Sequence, residues 1–566
     1  MRPSRFLPQR HDRSALLLLA VAVGCLSGLA GVALNASIAA LFRITTRLGS
    51  SPWVFLLPAA GALASRVFLR LAAGESPGHG IPEVLESISL RGGLLRFRLI
   101  FSRLVASCLT IGSGGSAGPE APIAVTGSAI GSNVARLFFL PERHRVTLLA
   151  CGCAAAIASV FNAPITGIVF TMEIILGEWS AVSLVPIGVA AVAGTQVSRF
   201  LEGNQIPFGQ TVFRIGVEDI LAAAVLAVAA GLAGALFARM IRRSRRMWQA
   251  IPVHPFARTF LGGVSVGLVG LLMPAVLGEG YSSVRGLIEG RYAPGLLLTA
   301  AACFLKMAAT ALTLGSGGSG GIFAPSVVAG SFMGVSFHRL MMILLPGVHW
   351  APEGCYALLG MAGLMAGILQ APLTAIFLVM EITGGYNVIL PLIVVSSLSA
   401  LLCKRFEGSS FYFKELTEKG LLLRAGTDAR VLSELSVGEL LEHDFIPVSE
   451  AMRLKDFVDV VKVSKRDHFP VQDPSTGAFV GMINLKDIRP YIFSQELYRT
   501  VLVGEIMDPH PRTVSPESQV KDVLEFMDRA GVLSLPVVSG ERFLGMISKA
   551  GILDGYRKEL IVQTIS

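Results

Sequence analysis

Two glycine-rich segments, at 112–122 and 315–325, constrain the fold more than any other feature, because they align with each other without a gap. At one aligned position Glu120 stands opposite Phe323, so the first copy carries a carboxylate where the second carries an aromatic ring. Such a long gapless match predicts a two-fold internal repeat whose copies share a backbone and differ in chemistry.

A second pair of matching segments follows, at 162–174 and 370–382. Glu173 and Glu381 occupy equivalent places in the two segments. A carboxylate that is present in both copies favours a shared structural role, such as accepting hydrogen bonds from backbone N–H groups at a helix break.

Hydropathy divides the chain into a membrane part and a soluble part. Apolar residues make up 52% of the chain and its mean hydropathy is +0.64, which places most of it in a bilayer. We expect a membrane domain at 1–416, with repeats at about 14–200 and 220–405, and a linker at 417–430. The apolar stretch at 14–42 is too long for a signal peptide and is expected to be the first membrane helix.

The position of the glycine-rich loops between apolar segments predicts their function. Irregular backbone at membrane depth survives only where it is buried in protein or lines a wet cavity. Glycine lets the backbone approach a small ligand closely, and a helix that begins after the loop directs N–H groups and its positive dipole end at an anion. Broken segments at matching places in two repeats are typical of a transport site. We therefore expect an anion site at the repeat interface.

The formal net charge of +9 comes with arginines that flank apolar runs. These arginines are Arg2, Arg5, Arg10 and Arg13 at the N-terminus and Arg239, Arg242, Arg243, Arg245 and Arg246 between hydrophobic segments. Both clusters fit cytoplasmic flanks of membrane helices. No basic groove interleaved with aromatic residues is present in the sequence, so nucleic acid is not an expected partner.

All seven cysteines lie in the apolar part at spacings that suggest neither a disulfide framework nor a metal site.

The last part of the chain, at 431–566, has the alternation of a soluble domain and is itself duplicated. Matching segments at 437–441 and 503–507 each lead through a helix to a Pro-Val strand and then to a Gly-Met-Ile strand. Short strands that alternate with amphipathic helices predict a small α/β unit that is present twice, at about 431–495 and 500–560.

Four ordered motifs and this tail resemble one known family. The segments at 78–82, 118–122, 320–325 and 410–412 are similar, in this order, to the anion-pathway segments of the CLC chloride channel and transporter family. The soluble tail resembles the paired CBS domains that many members carry. The resemblance implies an all-α polytopic membrane domain of two inverted repeats, with broken and re-entrant helices, followed by a cytoplasmic α/β CBS pair.

The resemblance also implies partners and location. We expect a homodimer, embedded in the lipid of the plasma or inner membrane as a multi-pass protein, with its N-terminus and CBS domains in the cytoplasm. Chloride or another small anion is the expected substrate, protons are a candidate second substrate, and no cofactor is required.

Glu120 is the expected gate. A carboxylate among apolar residues is costly unless it is paired or functional, and beside helix N-termini its charge would occupy the place that an anion favours. Protonation would neutralise the side chain and free the site for the anion. The matching glutamate acts in this way in the family.

The resemblance assigns the remaining anion-binding residues by their motifs. They are His79, Gly80, Ile81, Ile322, Phe323 and Tyr412. Many chloride-selective members have a serine at the place of His79, whose imidazole either donates an N–H to the anion or turns away. Tyr412 matches the tyrosine that closes the inner side of the central site.

Ile174 departs from the pattern of proton-coupled members, which have an internal glutamate at the aligned position. Isoleucine cannot carry a proton, so we expect a voltage- or pH-gated chloride channel, with a proton-coupled anion antiporter as the alternative. Glu173, the neighbouring residue, is a candidate proton route for that alternative. A membrane sensor without flux is disfavoured by the intact pathway motifs.

Each CBS copy carries half of a Gly-x-Ser/Thr-x-x-Asp nucleotide signature. The first copy keeps the acid, Asp487, and the second keeps the hydroxyl, Ser548. An adenine nucleotide site and a dimerisation or gating scaffold both remain open.

An enzyme is not expected. Both glycine-rich loops satisfy the Gly-x-Ser-x-Gly pattern, but the nucleophile elbow of a hydrolase needs a preceding strand and a nearby His and acid. A Walker-type loop also fails, because no Gly-Lys-Ser/Thr follows either glycine run.

Overall fold

The structure is a computed structural model that describes most of the chain. The described residues are 9–47, 53–75, 80–204, 208, 213–291, 295–418, 432, 435–464, 466–473, 475–540 and 542–565. The chain forms two compact units, Met1–Leu422 and Leu423–Ser566.

Helices build the first unit, and its first half combines long spans with shorter helices. They are α1 (Gln9–Arg47), α2 (Leu57–Phe68), α3 (Ile81–Leu90), α4 (Leu99–Gly112), α5 (Glu120–Leu137), α6 (Glu142–Phe161), α7 (Pro164–Phe170) and α8 (Ala181–Glu202). A π-helical turn, Leu69–Ala73, extends α2, and another, Thr171–Leu176, extends α7.

The second half repeats this order of long and short helices. They are α9 (Val217–Ala250), α10 (Pro255–Leu272), α11 (Tyr281–Ile288), α12 (Leu296–Ser316), α13 (Phe323–Leu344), α14 (Glu353–Leu369), α15 (Pro372–Thr383) and α16 (Ile389–Glu407), followed by α17 (Phe411–Glu418). Within the described part of the chain, nine helical stretches are long and apolar enough to cross a membrane. The prediction of an all-α polytopic membrane unit is confirmed.

The two halves pack in the same way. Helix α5 packs on α6 and α6 on α8, as α13 packs on α14 and α14 on α16. Helices α6 and α14 both end at a left-handed residue, Asn162 (φ 53°) and Gln370 (φ 54°). Each is followed by Ala-Pro, and proline begins α7 and α15, because its fixed φ suits the first helical turn. The same local sequence therefore makes the same break in both repeats.

Glycine pairs set the closest helix contacts in each repeat. A Cβ on Gly127 of α5 would meet the carbonyl oxygen of Gly152 of α6 at 2.1 Å. The equivalent Cβ on Gly330 of α13 would meet the carbonyl oxygen of Gly360 of α14 at 2.4 Å. Small residues that let backbones touch are typical of helix packing in membranes.

The second unit contains short strands and helices. The strands are β1 (Val448–Ser449), β2 (His468–Gln472), β3 (Phe479–Asn484), β4 (Ser534–Ser539) and β5 (Arg542–Ser548). The helices are α18 (Leu454–Val463), α19 (Leu485–Ile492), α20 (Val503–Ile506), α21 (Val520–Ala530) and α22 (Lys549–Ile565). Strand β2 pairs parallel with β1 and antiparallel with β3, and β4 pairs antiparallel with β5. This is the α/β pattern predicted from the duplicated tail.

The two copies in the second unit exchange their first segments. Val437 begins the first copy in sequence but packs in the core that contains Leu535 of the second copy. Val503 begins the second copy in sequence but packs with Phe469 of the first. Each core is therefore completed by residues that the sequence repeat assigns to the other copy.

Candidate anion-binding site

The two glycine-rich loops meet at a pair of backbone hydrogen bonds. The N–H of Gly118 donates to the carbonyl oxygen of Gly321 at 2.9 Å, and the N–H of Gly321 donates to that of Gly118 at 2.7 Å. This antiparallel bridge holds the N-termini of α5 and α13 side by side. Two positive helix ends thus converge on one point between the repeats.

Threonines fix each loop from the opposite repeat. The hydroxyl of Thr110 on α4 accepts the N–H of Ser319 at 3.2 Å. The hydroxyl of Thr313 on α12 accepts the N–H of Ser116 at 3.1 Å. Thr110 and Thr313 are equivalent in the loop alignment, as are the two serines, so the bonds form a reciprocal pair that fixes the loop geometry.

Glu120 lies at the point where the two helices converge. It is the first residue of α5 and is fully buried. Its Oε1 accepts the hydroxyl of Tyr281 at 2.5 Å, and its Oε2 accepts the N–H of Ala324 on α13 at 3.4 Å. The carboxylate therefore lies at the place where these helix ends would hold an anion.

Gly118, which has no side chain, leaves room for the carboxylate of Glu120. A Cβ on Gly118 would come within 2.0 Å of Oε2 of Glu120 and 3.0 Å of the backbone nitrogen of Ala324. Across the site, the ring of Phe323 packs against Phe161 at a centroid distance of 5.3 Å. The site thus combines a glycine that leaves room for the carboxylate with an apolar wall.

The structure places most of the other predicted anion-binding residues around the same helix ends. Gly80 has a φ of 83° and precedes α3, and a Cβ there would meet the side chain of Val125 on α5 at 2.6 Å. Tyr412 is 1% exposed, and its hydroxyl interacts with the backbone of Ile322. Ile81 is buried at the start of α3. His79 lies outside the described residues.

Glu173 and Glu381 bond the broken helices of opposite repeats. Glu173 accepts the N–H groups of Leu373 at 3.2 Å and Thr374 at 2.8 Å, at the start of α15. Glu381 accepts the N–H groups of Ile165 at 2.9 Å and Thr166 at 2.6 Å, at the start of α7. Each carboxylate satisfies N–H groups that a helix start leaves without an intrahelical partner.

Ile174, beside Glu173, is 2% exposed and belongs to the main hydrophobic core. The position that would carry an internal proton acceptor is thus filled by a packed apolar side chain.

Two cavities approach the site. One, of about 510 Å³, is lined by Pro119, Glu279 and Tyr281 among others, and we call it the tyrosine cavity. The other, of about 420 Å³, is lined by Gly80 and by Arg245, and we call it the arginine cavity. Arg66, Arg103 and Arg258 also line the arginine cavity. Glu120 lines neither cavity. Its neighbour Pro119 lines the tyrosine cavity, and Gly80, which packs on α5, lines the arginine cavity.

Sequence reasoning missed three residues near Glu120: Glu279, Tyr281 and Lys306. Lys306 on α12 is fully buried, and its Nζ donates to the carbonyl oxygens of Val276 at 3.0 Å and Gly278 at 2.8 Å. Its charge also interacts with Glu279 and Glu120. A lysine inside an apolar run is a signal that could have identified it. Tyr281 carried no such signal, since an isolated tyrosine is ordinary.

In the second unit, the predicted nucleotide residues have other surroundings. The hydroxyl of Ser548 donates to Oε1 of Glu442 at 2.5 Å, and Glu442 pairs with Arg466 at 2.7 Å. Asp487 is exposed on α19. The Arg466 guanidinium also bonds Asp444 and holds the pKa of that carboxyl below its usual value. Ser548 therefore already has a carboxylate partner. Among the residues that the structure describes, no group of three or more His, Cys, Asp or Glu could hold a metal ion.

A helical membrane unit of two repeats, with helix N-termini converging on one buried site, defines a transport protein for small anions. Comparison with known proteins gives the family. A sequence model of the voltage-gated chloride channel family matches residues 60–404, and one of the CBS domain matches residues 503–558. The chain belongs to this family of chloride channels and transporters, the CLC family.

Bacterial relatives match this chain over most of their own length. A Ralstonia nicotianae protein, described by its likeness to the chloride channel protein ClcB, is 32% identical over 395 residues, 67% of this chain and 91% of the relative. The H⁺/Cl⁻ exchange transporter ClcA of Salmonella paratyphi A is 30% identical over 431 residues, 72% of this chain and 89% of the relative.

Solved structures share the fold. A slow cyanobacterial Cl⁻/H⁺ antiporter matches with a TM-score of 0.65 and 24% identity, covering 72% of this chain and 98% of that one. A eukaryotic CLC transporter matches with a TM-score of 0.64 and 19% identity, covering 95% of this chain and 97% of that one. The predicted fold class and family are confirmed.

Proposed function

We propose that this protein exchanges chloride for protons across a membrane and that Glu120 is the gate, whose ionised carboxylate and chloride alternate in one place. The observation that carries the proposal is the position of the Glu120 carboxylate, which is fully buried between the N-termini of α5 and α13. The name of the Salmonella exchanger supports this reading. It was the alternative in the sequence analysis, and the comparisons favour it over the channel.

The gate works by competition for one place. When Glu120 is ionised, its Oε2 accepts the N–H of Ala324 and its charge satisfies the two helix ends. Protonation removes that charge, so the N–H groups lose their anionic partner and an incoming chloride replaces the carboxylate. Departure of the proton returns the carboxylate and expels the anion. The ionised carboxylate and chloride therefore occupy the site in turn.

A central anion site is proposed between Glu120 and the arginine cavity. The backbone N–H groups of Gly80, Ile81, Ile322 and Phe323 would face the ion, and the Tyr412 hydroxyl would close the inner side. The contact between Tyr412 and the backbone of Ile322 supports this assignment. We assign His79 to the same site by its place in the motif at 78–82.

The orientation follows from charge. Arg245 belongs to the arginine cluster between hydrophobic segments and lines the arginine cavity. Under the positive-inside rule this cavity is cytoplasmic, and the tyrosine cavity faces the opposite side. We place the N-terminus and the CBS domains in the cytoplasm on the same grounds.

We propose a transport domain, a linker and a CBS pair, assembled as a homodimer. The transport domain covers 1–416, the linker 417–430 and the CBS pair 431–566. The transporter is a homodimer in which each subunit has its own pathway. The CBS pair acts as a scaffold rather than a nucleotide site, because the Ser548 hydroxyl is bonded to Glu442.

A channel is the second candidate, and one observation favours it. Ile174 is buried among apolar side chains, and the Glu173 carboxylate is bonded to the start of α15. Neither residue offers an unoccupied proton acceptor. An exchanger must therefore bring protons to Glu120 by another route.

The experiment that tests the proposal measures proton movement in proteoliposomes while an imposed chloride gradient drives anion flux. For the exchanger, we expect uphill proton movement in the wild-type protein and none in Glu120→Gln, which retains chloride flux. Chloride flux without proton movement in the wild type would make the protein a channel. pH dependence of flux that survives in Glu120→Gln would remove Glu120 from the gate.

A further inference from the structure

A tyrosine from the second repeat holds the carboxylate of the first. Tyr281 is the first residue of α11, and its hydroxyl donates to Oε1 of Glu120 at 2.5 Å. Hydrogen bonds to ionised oxygen at about this length are stronger than neutral ones. The N–H of Ala324 bonds the other oxygen at the longer distance of 3.4 Å. Tyr281 is thus the closer of these two donors to the gate.

The repeat explains how Tyr281 reaches this place. Helix α11 is the counterpart of α3, since both are short helices that precede the helix leading to a glycine-rich loop. Gly80 and Gly280 precede them with φ values of 83° and 88°. Ile81 therefore corresponds to Tyr281. The second repeat places a phenol where the first places an aliphatic side chain.

The surroundings of Tyr281 hold its ring in one position. Its ring meets those of Phe161 and Phe208 edge to face, at centroid distances of 6.2 and 6.0 Å. The residue also lines the tyrosine cavity. Aromatic packing therefore holds the ring, and the hydroxyl bonds the Glu120 carboxylate.

We propose that Tyr281 is a positioning residue that latches the ionised Glu120 carboxylate in the place of the anion and so sets the pH at which transport begins. This inference rests on the proposed function of Glu120. The latch acts on one protonation state, because a phenolic O–H donates better to a carboxylate than to a neutral acid. Losing it therefore favours the protonated, open gate.

Other ionisable groups also face Glu120 and contribute to the pH at which it takes up a proton. Glu279 precedes α11, Lys306 lies on α12 and Tyr412 on α17, and each interacts electrostatically with Glu120. Removing only the Tyr281 hydroxyl leaves all three unchanged. Its effect can therefore be separated from theirs.

The test compares the pH dependence of chloride flux in Tyr281→Phe and Tyr356→Phe proteoliposomes. Tyr356 is an apt control, since it is buried and, like Tyr281, donates its hydroxyl to a carboxylate, in this case Asp219 at 2.8 Å. We expect Tyr281→Phe to move the pH of half-maximal flux upward by about 1–2 units, as loss of one hydrogen bond to a charged group predicts. Tyr356→Phe is expected to leave that pH unchanged.

Two further measurements test the latch. In a Glu120→Gln background, Tyr281→Phe should cause no additional pH shift, because the latch has no carboxylate to hold. If Tyr281→Phe fails to fold, fluorinated tyrosine at position 281, a stronger donor, should move the midpoint downward. An unchanged midpoint in the folded Tyr281 variants, or an equal shift in Tyr356→Phe, would overturn the latch.

The two proposals fail in distinguishable ways. If Glu120→Gln abolishes pH dependence while the Tyr281 variants behave like wild type, only the latch is wrong. If Glu120→Gln leaves pH dependence intact, the gate itself is wrong, and the latch falls with it.

Discussion

The two repeats of the membrane unit share the hydrogen bonds that hold their loops and broken helices, which we call the frame. They differ in the side chains at the converging helix ends. Thr110 and Thr313 bond the opposite loops in the same way, and Glu173 and Glu381 bond the opposite broken helices in the same way. At the converging helix ends, however, the first repeat presents Glu120 and the second Phe323.

A second asymmetry lies opposite the first. Where α3 begins with Ile81, its counterpart α11 begins with Tyr281, which bonds Glu120. The first repeat supplies the acid, and the second supplies its donor. Residues that the two copies share thus hold the geometry, while positions where the copies have diverged supply the proposed gate and its hydrogen-bond donor.

The two glycines of the loop bridge, Gly118 and Gly321, differ in what a methyl group at each would meet. In Gly118→Ala the new Cβ would overlap Oε2 of Glu120, whereas in Gly321→Ala it would meet Ala121 of α5 at 2.8 Å. We expect Gly118→Ala to displace the carboxylate and raise chloride flux at high pH by at least about tenfold, the effect of losing a hydrogen bond to a charged group. Gly321→Ala should destabilise by about 1–3 kcal/mol through overpacking and keep the pH dependence.

Flux at several pH values and thermal unfolding in detergent check both glycine variants. The same loss of pH dependence in both would show that the bridge, rather than the carboxylate, controls transport.

The paired carboxylates test the symmetric frame. Replacing Glu173 or Glu381 by glutamine leaves N–H groups of α15 or α7 without a full partner, so each should lower the free energy of unfolding by about 2–4 kcal/mol. Thermal unfolding should give similar values for the two variants. A selective loss of proton movement in Glu173→Gln would instead assign Glu173 to the proton route.

The reciprocal threonines should have a smaller and equal effect. Thr110→Val leaves the N–H of Ser319 without its acceptor, and Thr313→Val does the same to Ser116. Each should cost about 1–3 kcal/mol of unfolding free energy, the penalty of one unsatisfied buried donor. Unequal costs, measured by thermal unfolding of the two variants side by side, would contradict the equivalence of the two loops.

The smallest effect is expected in the second unit, where the copies also differ. Arg466 of the first copy bonds Asp444, and the aligned residue of the second copy is Val532. Arg466 lowers the pKa of Asp444 in the folded state. The pair therefore stabilises the fold at pH values above the usual pKa of an aspartate, and this stabilisation is lost as the pH falls through the folded-state pKa. Asp444→Asn should lower the unfolding temperature slightly at pH 7 and low salt.

Salt screens exposed pairs, so the Asp444→Asn effect should shrink at high salt and at pH values below the aspartate range. Asp487→Asn, at an exposed aspartate on α19, is the matched control. An Asp444 effect that is independent of salt and pH would show a role other than the ion pair.

Local sequence sufficed to predict the repeat and to single out the carboxylate of Glu120. The gapless loop alignment predicted the repeat, and Glu120 was recognisable because a carboxylate in an apolar glycine-rich loop is costly without a function. The shared positions of Glu173 and Glu381 predicted bonding at helix breaks, which the structure shows.

The rest required three-dimensional contacts. Tyr281 is 161 residues from Glu120, and a single tyrosine gives no signal of its partner. The exchange of first segments in the CBS pair was hidden for a similar reason. Val437 and Val503 sit at equivalent sequence positions, and sequence alone cannot tell which core each one completes.

The measurement that tests the gate most directly is the position of bromide, located by its anomalous scattering, in crystals of the wild type and Glu120→Gln at neutral pH. In the variant, bromide is expected beside the N–H of Ala324, where Oε2 of Glu120 lies in the wild type. In the wild type that place should hold the carboxylate and no bromide. Bromide beside Ala324 in the wild type with Glu120 still in place, or none there in the variant, would contradict competition between the carboxylate and the anion.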